Sequence, residues 1–164
     1  MSTLRLDELP DVLQQVKTRP LFVARLDVKP LIVVGNTPGP FRRIGIVTSG
    51  TFAGERLSGK VLDGSNDWQD LRSDGSTTLD VRLALQTDDD VFLAMRYRGV
   101  RHGPAEAMER LNRGEPVDPA EYYFRIIVMF EAPAGSYAWL NGVVGIGVGH
   151  RLSDGPVYSV FEVL

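Results

Sequence analysis

Residues 78–99, TLDVRLALQTDDDVFLAMRYRG, decide the fold. Leu79, Val81, Leu83 and Leu85 alternate with Asp80, Arg82, Ala84 and Gln86, and Val91, Leu93, Met95 and Tyr97 alternate with Phe92, Ala94, Arg96 and Arg98. A period of two gives a strand with two unlike faces. Asp88-Asp89-Asp90 between the runs is a polar connector of hairpin length. A one-residue slip would set the apolar face of one strand beside the polar face of the other. The register that avoids this pairs Thr87 with Val91 and Leu83 with Met95, and sets Asp80 opposite Arg98 and Arg82 opposite Arg96.

The charged face of this hairpin holds one carboxylate among three guanidinium groups. Asp80 can reach Arg82 along its own strand, Arg98 across and Arg96 diagonally. Two roles are open for such a face. It can be a solvated exterior, where ion pairs contribute little, or a polar cavity wall that grips an anionic or hydroxyl-rich ligand.

The chain has 164 residues, which fits one domain, 1–164, with a helical segment at 1–20. A net charge of −3 provides no global field for nucleic acid or an anionic membrane, so neither is an expected partner. There are no cysteines, which excludes disulfides, thiolate metal sites and cysteine nucleophiles. No basic region followed by an apolar run opens the sequence, and the longest apolar runs are too short to span a bilayer. A cytoplasmic location is expected.

Working outward, Leu9, Val12, Leu13 and Val16 fall at helical spacing and predict a helix over Asp7 to Lys17. Strands follow over Leu21–Val28, Leu31–Gly35, Arg42–Gly54 and Arg56–Leu62. Asp63-Gly64-Ser65-Asn66-Asp67 reads as a turn and lacks the ligand spacing of a calcium loop. Beyond the hairpin, Pro104 opens a short helix with Ala105, Met108 and Leu111 on one side and Gly114 as its stop. Tyr122 to Glu131 is a strand with Tyr123 and Arg125 on its mixed face. Ser136 to Asn141 is a turn or one helical turn. In Gly142 to Arg151, Gly145, Gly147 and Gly149 point one way, leaving a strip that a neighbouring aromatic or a ligand must fill. Val157 to Leu164 is the last strand.

No phosphate-binding GxxxxGK[ST], HExxH or GxSxG is present. With only His102 and His150, a three-histidine zinc site within one chain is impossible. Neither a metal nor a cofactor is expected. Carboxylates, tyrosines, arginines, an asparagine and two tryptophans remain, a set suited to binding an organic metabolite or to proton transfer. Many short strands, glycine-rich turns and few helices predict an all-β fold, an antiparallel sandwich or barrel with one or two short helices; strands at both ends of the chain favour a closed barrel, which removes edges and at roughly eight strands can hold one small ligand. The apolar face running from Leu79 to Tyr97 is large enough for a homodimer if it points outward.

The run Gly50-Thr51-Phe52-Ala53-Gly54, with Arg56-Leu57-Ser58-Gly59, Asp67-Trp68-Gln69, Asp74-Gly75, Leu79-Asp80-Val81-Arg82 and Thr87-Asp88-Asp89, resembles the bacterial and fungal family called domain of unknown function 3237. Glu121-Tyr122-Tyr123-Phe124-Arg125 and Tyr137-Ala138-Trp139-Leu140-Asn141 fit it too. The resemblance implies a calycin-like barrel that self-associates and has an unsettled biochemical role; it supplies no catalytic set. Asp90 departs from it, standing where that family's turn often has glycine. Because Trp68, Asp80, Arg82, Arg125, Trp139 and Asn141 match its motif positions, the resemblance tips the expectation towards a lined cavity.

Two functions follow. One is a metal-independent enzyme of isomerase, lyase or cyclase type acting on a small carbonyl- or carboxylate-containing metabolite. Asp80 would move the proton, held by Arg82 and Arg98; Tyr123, Arg125 and Asn141 would orient the substrate; Arg96 would add charge; Trp68 and Trp139 would stack on a ring. The other is a carrier or sensor using the same cavity without turnover.

Overall fold

In the computed structural model, which describes residues 3–164, the hairpin forms as the alternation requires. Strands β6 (Thr77–Thr87) and β7 (Phe92–His102) pair with Leu83 opposite Met95, Asp80 opposite Arg98 and Arg82 opposite Arg96. The Thr87 amide donates to the Val91 carbonyl at 2.9 Å and closes the turn. Asp90 takes φ +64° there, the left-handed conformation that glycine would adopt freely, and the register holds.

The other strands are β1 (Thr18–Val28), β2 (Ile32–Asn36), β3 (Phe41–Ala53), β4 (Ser58–Val61), β5 (Ser65–Leu71), β8 (Tyr123–Glu131), β9 (Val144–Arg151) and β10 (Pro156–Val163). Every pairing is antiparallel. The long strand β3 organises the closure. Along one edge it pairs first with β2 (Ile32 opposite Ile44) and then with β1 (Leu26 opposite Gly50). Along the other it pairs first with β5 (Asp67 opposite Gly45) and then with β4 (Val61 opposite Gly50). β1 with β2, and β4 with β5, thus each share one position beside β3, and ten strands make an eight-position ring. The β1–β10 ladder, from Thr18–Val163 to Arg25–Val157, seals it. This is the antiparallel barrel expected, and closure leaves few edges for pairing with other chains.

The lumen is packed. Leu79, Val81, Leu83 and Leu85 of β6 and Leu93, Met95 and Tyr97 of β7 are all buried in it. Phe22 meets Phe52 at 5.6 Å and Phe130 at 6.1 Å, whereas Phe124, Tyr97 and Tyr158 form a second aromatic cluster. An eight-stranded barrel is just wide enough for its own side chains. The expectation that Asp80 and its arginines line a chamber is therefore overturned: Asp80, Arg82, Arg96 and Arg98 point away from the lumen. Enclosing three guanidinium groups with one carboxylate would cost several kcal/mol per unpaired ion, while seven apolar side chains of the same hairpin fill the interior. The same alternation removes the Leu79–Tyr97 apolar face as a dimer surface.

The glycine strip of β9 also faces inward and is filled by β8: Val128 lies against Gly145, Ile126 against Gly147 and the Phe124 ring against Gly149. Val144, Ile146 and Val148 are left on the outside, exposed.

Two segments differ from expectation. The helix over Asp7 to Lys17 is instead a 3-10 turn at Leu6–Glu8 and a single α turn, α1 (Asp11–Gln14). Pro10 separates them, and Val12, Leu13 and Val16 stay exposed, with no apolar surface to hold a longer helix. Met1 and Ser2 of the 1–20 segment lie outside the described residues. The turn at residues 63–67 is shorter than expected: β5 begins at Ser65, after Gly64 at φ +87°. Helix α2 (Ala105–Asn112) forms and gives way to Gly114 at φ +76° as expected, but its buried side is Ala107, Met108 and Leu111, and Ala105, expected there, is exposed.

Candidate functional site

At one pole the lumen turns polar. On β5, alternation sends Ser65, Asp67 and Gln69 inward. Gln69 faces Arg43 of β3, and Asp67 faces Gly45. On β7 the inward series Leu93, Met95, Tyr97, Gly99 ends at Arg101, which is buried under the Phe124 ring at 5.5 Å. Arg151 of β9 and Tyr158 of β10 complete the pole. They enclose a void of about 20 Å³ bordered by Asp67, Gln69, Tyr97, Arg101, Arg151 and Tyr158.

Gln69 Nε2 donates to Asp67 Oδ2 at 2.6 Å, and the Tyr97 and Tyr158 hydroxyls lie 3.2 Å apart. Burial raises the Asp67 carboxyl to about 6, against the pull of the Gln69 bond and of Arg101, Arg43 and Arg151. Burial lowers Arg101 to about 10, and the like charges of Arg151 and Arg43 act in the same direction. Burial also pushes both tyrosine hydroxyls up. Asp67 Oδ1, Gln69 Oε1, Arg101 Nε, and Nε and Nη2 of Arg43 have no hydrogen-bond partner within the protein. Such atoms are rare in folded interiors.

The expected site residues lie on the exterior and gather only in part. Trp68, Asp80, Arg82 and Arg98 line one groove of about 810 Å³ over β5–β7, together with Arg42 and Arg72. Asp80 accepts from Arg98 at 3.3 Å, Arg42 pairs with Asp70 at 2.7 Å, and the Arg42 guanidinium stands 5.4 Å from the Trp68 ring. Arg96, opposite Arg82, borders an adjoining depression with Asp80 and Met129. Tyr123 and Arg125 lie on β8, the guanidinium 4.7 Å from the Tyr123 ring, and His102 stacks on that ring at 5.0 Å. They border a further depression of about 650 Å³ whose floor and far wall are apolar, with Ile127, Ile146, Val148 and Phe161. It shares Arg72, Thr78, Arg98 and Gly99 with the first groove, so the two form one trough across the barrel's exterior.

Trp139 and Asn141 belong to neither. They sit on the 3-10 turn Ala138–Gly142. The Arg56 guanidinium covers Trp139 at 4.2 Å, and Asn141 bonds the Ala132 amide and carbonyl and the Ala138 carbonyl. Asn141 is thus engaged in shaping the chain, away from the groove that holds Trp68 and Asp80. Among the described residues no three His, Asp or Glu side chains gather as a metal site, and no helix is long and apolar enough to cross a membrane.

The polar pole escaped sequence reasoning. A signal for Arg101 was present: it continues the inward parity of Leu93, Met95 and Tyr97. None existed for Asp67, because its strand is defined by distant partners, Gly45 and Val81.

A closed antiparallel barrel with a buried ionic pole and a charged-to-apolar trough on its exterior defines the class. The chain belongs to the family described as protein of unknown function DUF3237, whose model matches residues 16–163. It is 33% identical over 149 residues to a UPF0311 protein of Rhodopseudomonas palustris, covering 91% of this chain and 97% of that protein. The crystal structure of a conserved protein of unknown function from Rhodopseudomonas palustris superposes with a TM-score of 0.88 at 33% identity, over 92% of this chain and 99% of that one. A β-barrel-like protein from Acinetobacter baumannii gives 0.80 at 35% identity, over 92% and 97%. A chain described as an enzyme from Penicillium herquei shares the fold, with a TM-score of 0.68 at 17% identity over 91% and 95%.

Proposed function

We propose that this protein binds a small organic carboxylate with an apolar body, laid in the exterior trough. The observation that carries this is the joining of two depressions of opposite character at Arg72 and Arg98. Arg98 and Arg42 are answered by Asp80 and Asp70. Arg72 and Arg82 in the same groove have no ion-pair partner among the described residues. Two unanswered guanidinium groups favour an anion, Trp68 offers a ring face, and Ile127, Ile146 and Val148 offer a dry bed. The volumes fall in the range of small-molecule sites.

If the ligand is turned over, as an isomerase, lyase or cyclase would, Asp80, beside Arg98 in the charged half of the trough, is the candidate proton carrier, and Tyr123 and Arg125 offer polar groups to a carbonyl in the apolar half. That one chain of this fold is described as an enzyme is compatible with turnover. Carriage without turnover uses the same contacts.

The test titrates 2-naphthoate and octanoate into the Trp139→Phe protein, so that fluorescence reports Trp68. Saturable quenching is expected, weakened about tenfold in Arg82→Ala, which removes a charge-assisted contact of roughly 1.5 kcal/mol. Equal binding of 2-naphthol and 2-naphthoate would overturn the proposal. So would a homodimer formed through Ile127, Ile146 and Val148 that excludes both probes. With 4-phenyl-2-oxobutanoate, whose C3 protons are acidified by the ketone, C3 exchange into D₂O that is lost in Asp80→Asn with binding retained supports the enzyme; binding with no exchange and no product over long incubation supports the carrier.

A further inference from the structure

The polar pole presents an imbalance of charge. Arg101 is 4% exposed, Arg43 and Arg151 are half-buried, and none of the three makes an ion pair among the described residues. Asp67 is the one carboxylate bordering the void that Arg101 and Arg151 line. A guanidinium removed from water without a counter-charge is costly; Arg101 is that group, and the one carboxylate near it is shared with the half-buried Arg43 and Arg151. The deficit calls for a further negative charge, and the void is where it can sit. Its volume of about 20 Å³ is a little more than the roughly 10–15 Å³ that one water-sized occupant needs. That room suits a monatomic ion better than sulfate, phosphate or a carboxylate.

We propose that a halide-sized anion, chloride under ordinary conditions, binds inside the lumen between Arg101 and Arg151, with Asp67 in its protonated form. Arg101 Nε has no partner within the protein and can donate to the ion. A protonated Asp67 can turn its hydroxyl to the ion while its other oxygen keeps the bond from Gln69 Nε2. The Tyr97 hydroxyl donates to Tyr158, which leaves the Tyr158 O–H as a further donor at the same void. An ionised Asp67 would repel the ion, so binding and protonation of Asp67 are linked. The groups facing Asp67 are Gln69 on its own strand, Arg43 on β3, Tyr97 and Arg101 on β7, Arg151 on β9 and Tyr158 on β10. Asp154 acts on Arg151, and Tyr122 accepts from the Arg151 amide at 2.8 Å. Of these only Asp67 titrates near neutrality, so affinity should fall by at least tenfold between pH 5.5 and 7.5.

Thermal unfolding at constant ionic strength, exchanging sodium gluconate for sodium chloride or bromide, tests the site. The intact chain should gain several degrees in Tm with either halide at pH 5.5, less at pH 7.5, and nothing with sulfate. Asp67→Asn should fold, keep the halide-dependent gain and lose its pH dependence. Arg101→Met should lose the gain. Equal Tm in gluconate and chloride at pH 5.5 in the unsubstituted protein overturns the proposal. A halide effect in Asp67→Asn that still varies with pH, or an equal effect from sulfate, overturns it as well.

Discussion

The ring of Phe124 occupies the place a side chain on Gly149 would need: a Cβ there would lie 2.6 Å from the ring. Phe124 is nearly fully buried and cannot retreat without disturbing Tyr158, 5.4 Å away. Gly149→Ala should therefore lower stability by about 1–3 kcal/mol, the usual cost of overpacking. At Gly145 the nearest contact would be 3.1 Å, from Val128, so Gly145→Ala should cost less. Urea denaturation of both variants gives the comparison, and Phe124→Leu in the Gly149→Ala background should recover part of the loss.

Asp67 should make the protein less stable as the solution becomes less acidic. Its folded carboxyl, at about 6, lies above the ordinary unfolded value near 3.9, so the folded state holds the extra proton between them. Stability from this group is full below the lower value and declines as pH rises through the upper one, by roughly 2–3 kcal/mol in all. Asp67→Asn should flatten the decline. Urea midpoints from pH 4 to 8 in gluconate buffer are the measurement.

Glu162 behaves in the opposite sense. Its carboxylate accepts from Arg19 at 2.8 Å and also from Arg56, the residue that covers Trp139. The hydrogen bond from Arg19, then that from Arg56, holds the carboxyl below its usual range. Its stabilisation is present above the unfolded value and lost as pH falls through the depressed folded one. Glu162→Gln should cost up to about 1 kcal/mol at pH 7, with no difference from the parent in strong acid. Trp139 emission should shift with the loosened Arg56.

At the hairpin turn, Asp90→Val places a β-branched residue at φ +64° and should cost about 1–2 kcal/mol. Asp90→Gly should be tolerated, since glycine adopts that conformation freely and only the Gln86 contact at 2.9 Å is lost. Denaturant midpoints of the pair separate backbone strain from side-chain loss.

Local alternation made the barrel legible. The β6–β7 register follows from Leu79, Val81, Leu83 and Leu85 facing Leu93, Met95 and Tyr97, and so does the helix stop at Gly114. What period two cannot say is which side of a strand becomes the interior when both look useful. Asp80 and its arginines looked like a cavity wall, yet apolar volume claimed the lumen. The ionic pole was hidden for another reason. Asp67 acquires its meaning only when β5 lies between β3 and β6 and turns it towards Arg101, a residue 34 positions along the chain. Trp139 and Asn141 had the right chemistry and the wrong address, drawn into a 3-10 turn that serves Arg56 and the Ala132 backbone.

The ladder between β1 and β10 has a consequence for biosynthesis. Arg19 and Glu162, its partners, stand 143 residues apart. A nascent chain on the ribosome cannot complete the circle until β10 has emerged, and until then β1 and β9 each expose an unmatched row of amides and carbonyls. Neighbouring polysomal copies could stitch onto those rows. Late closure of the circumference, more than any weakness of the finished barrel, is where this molecule needs shelter.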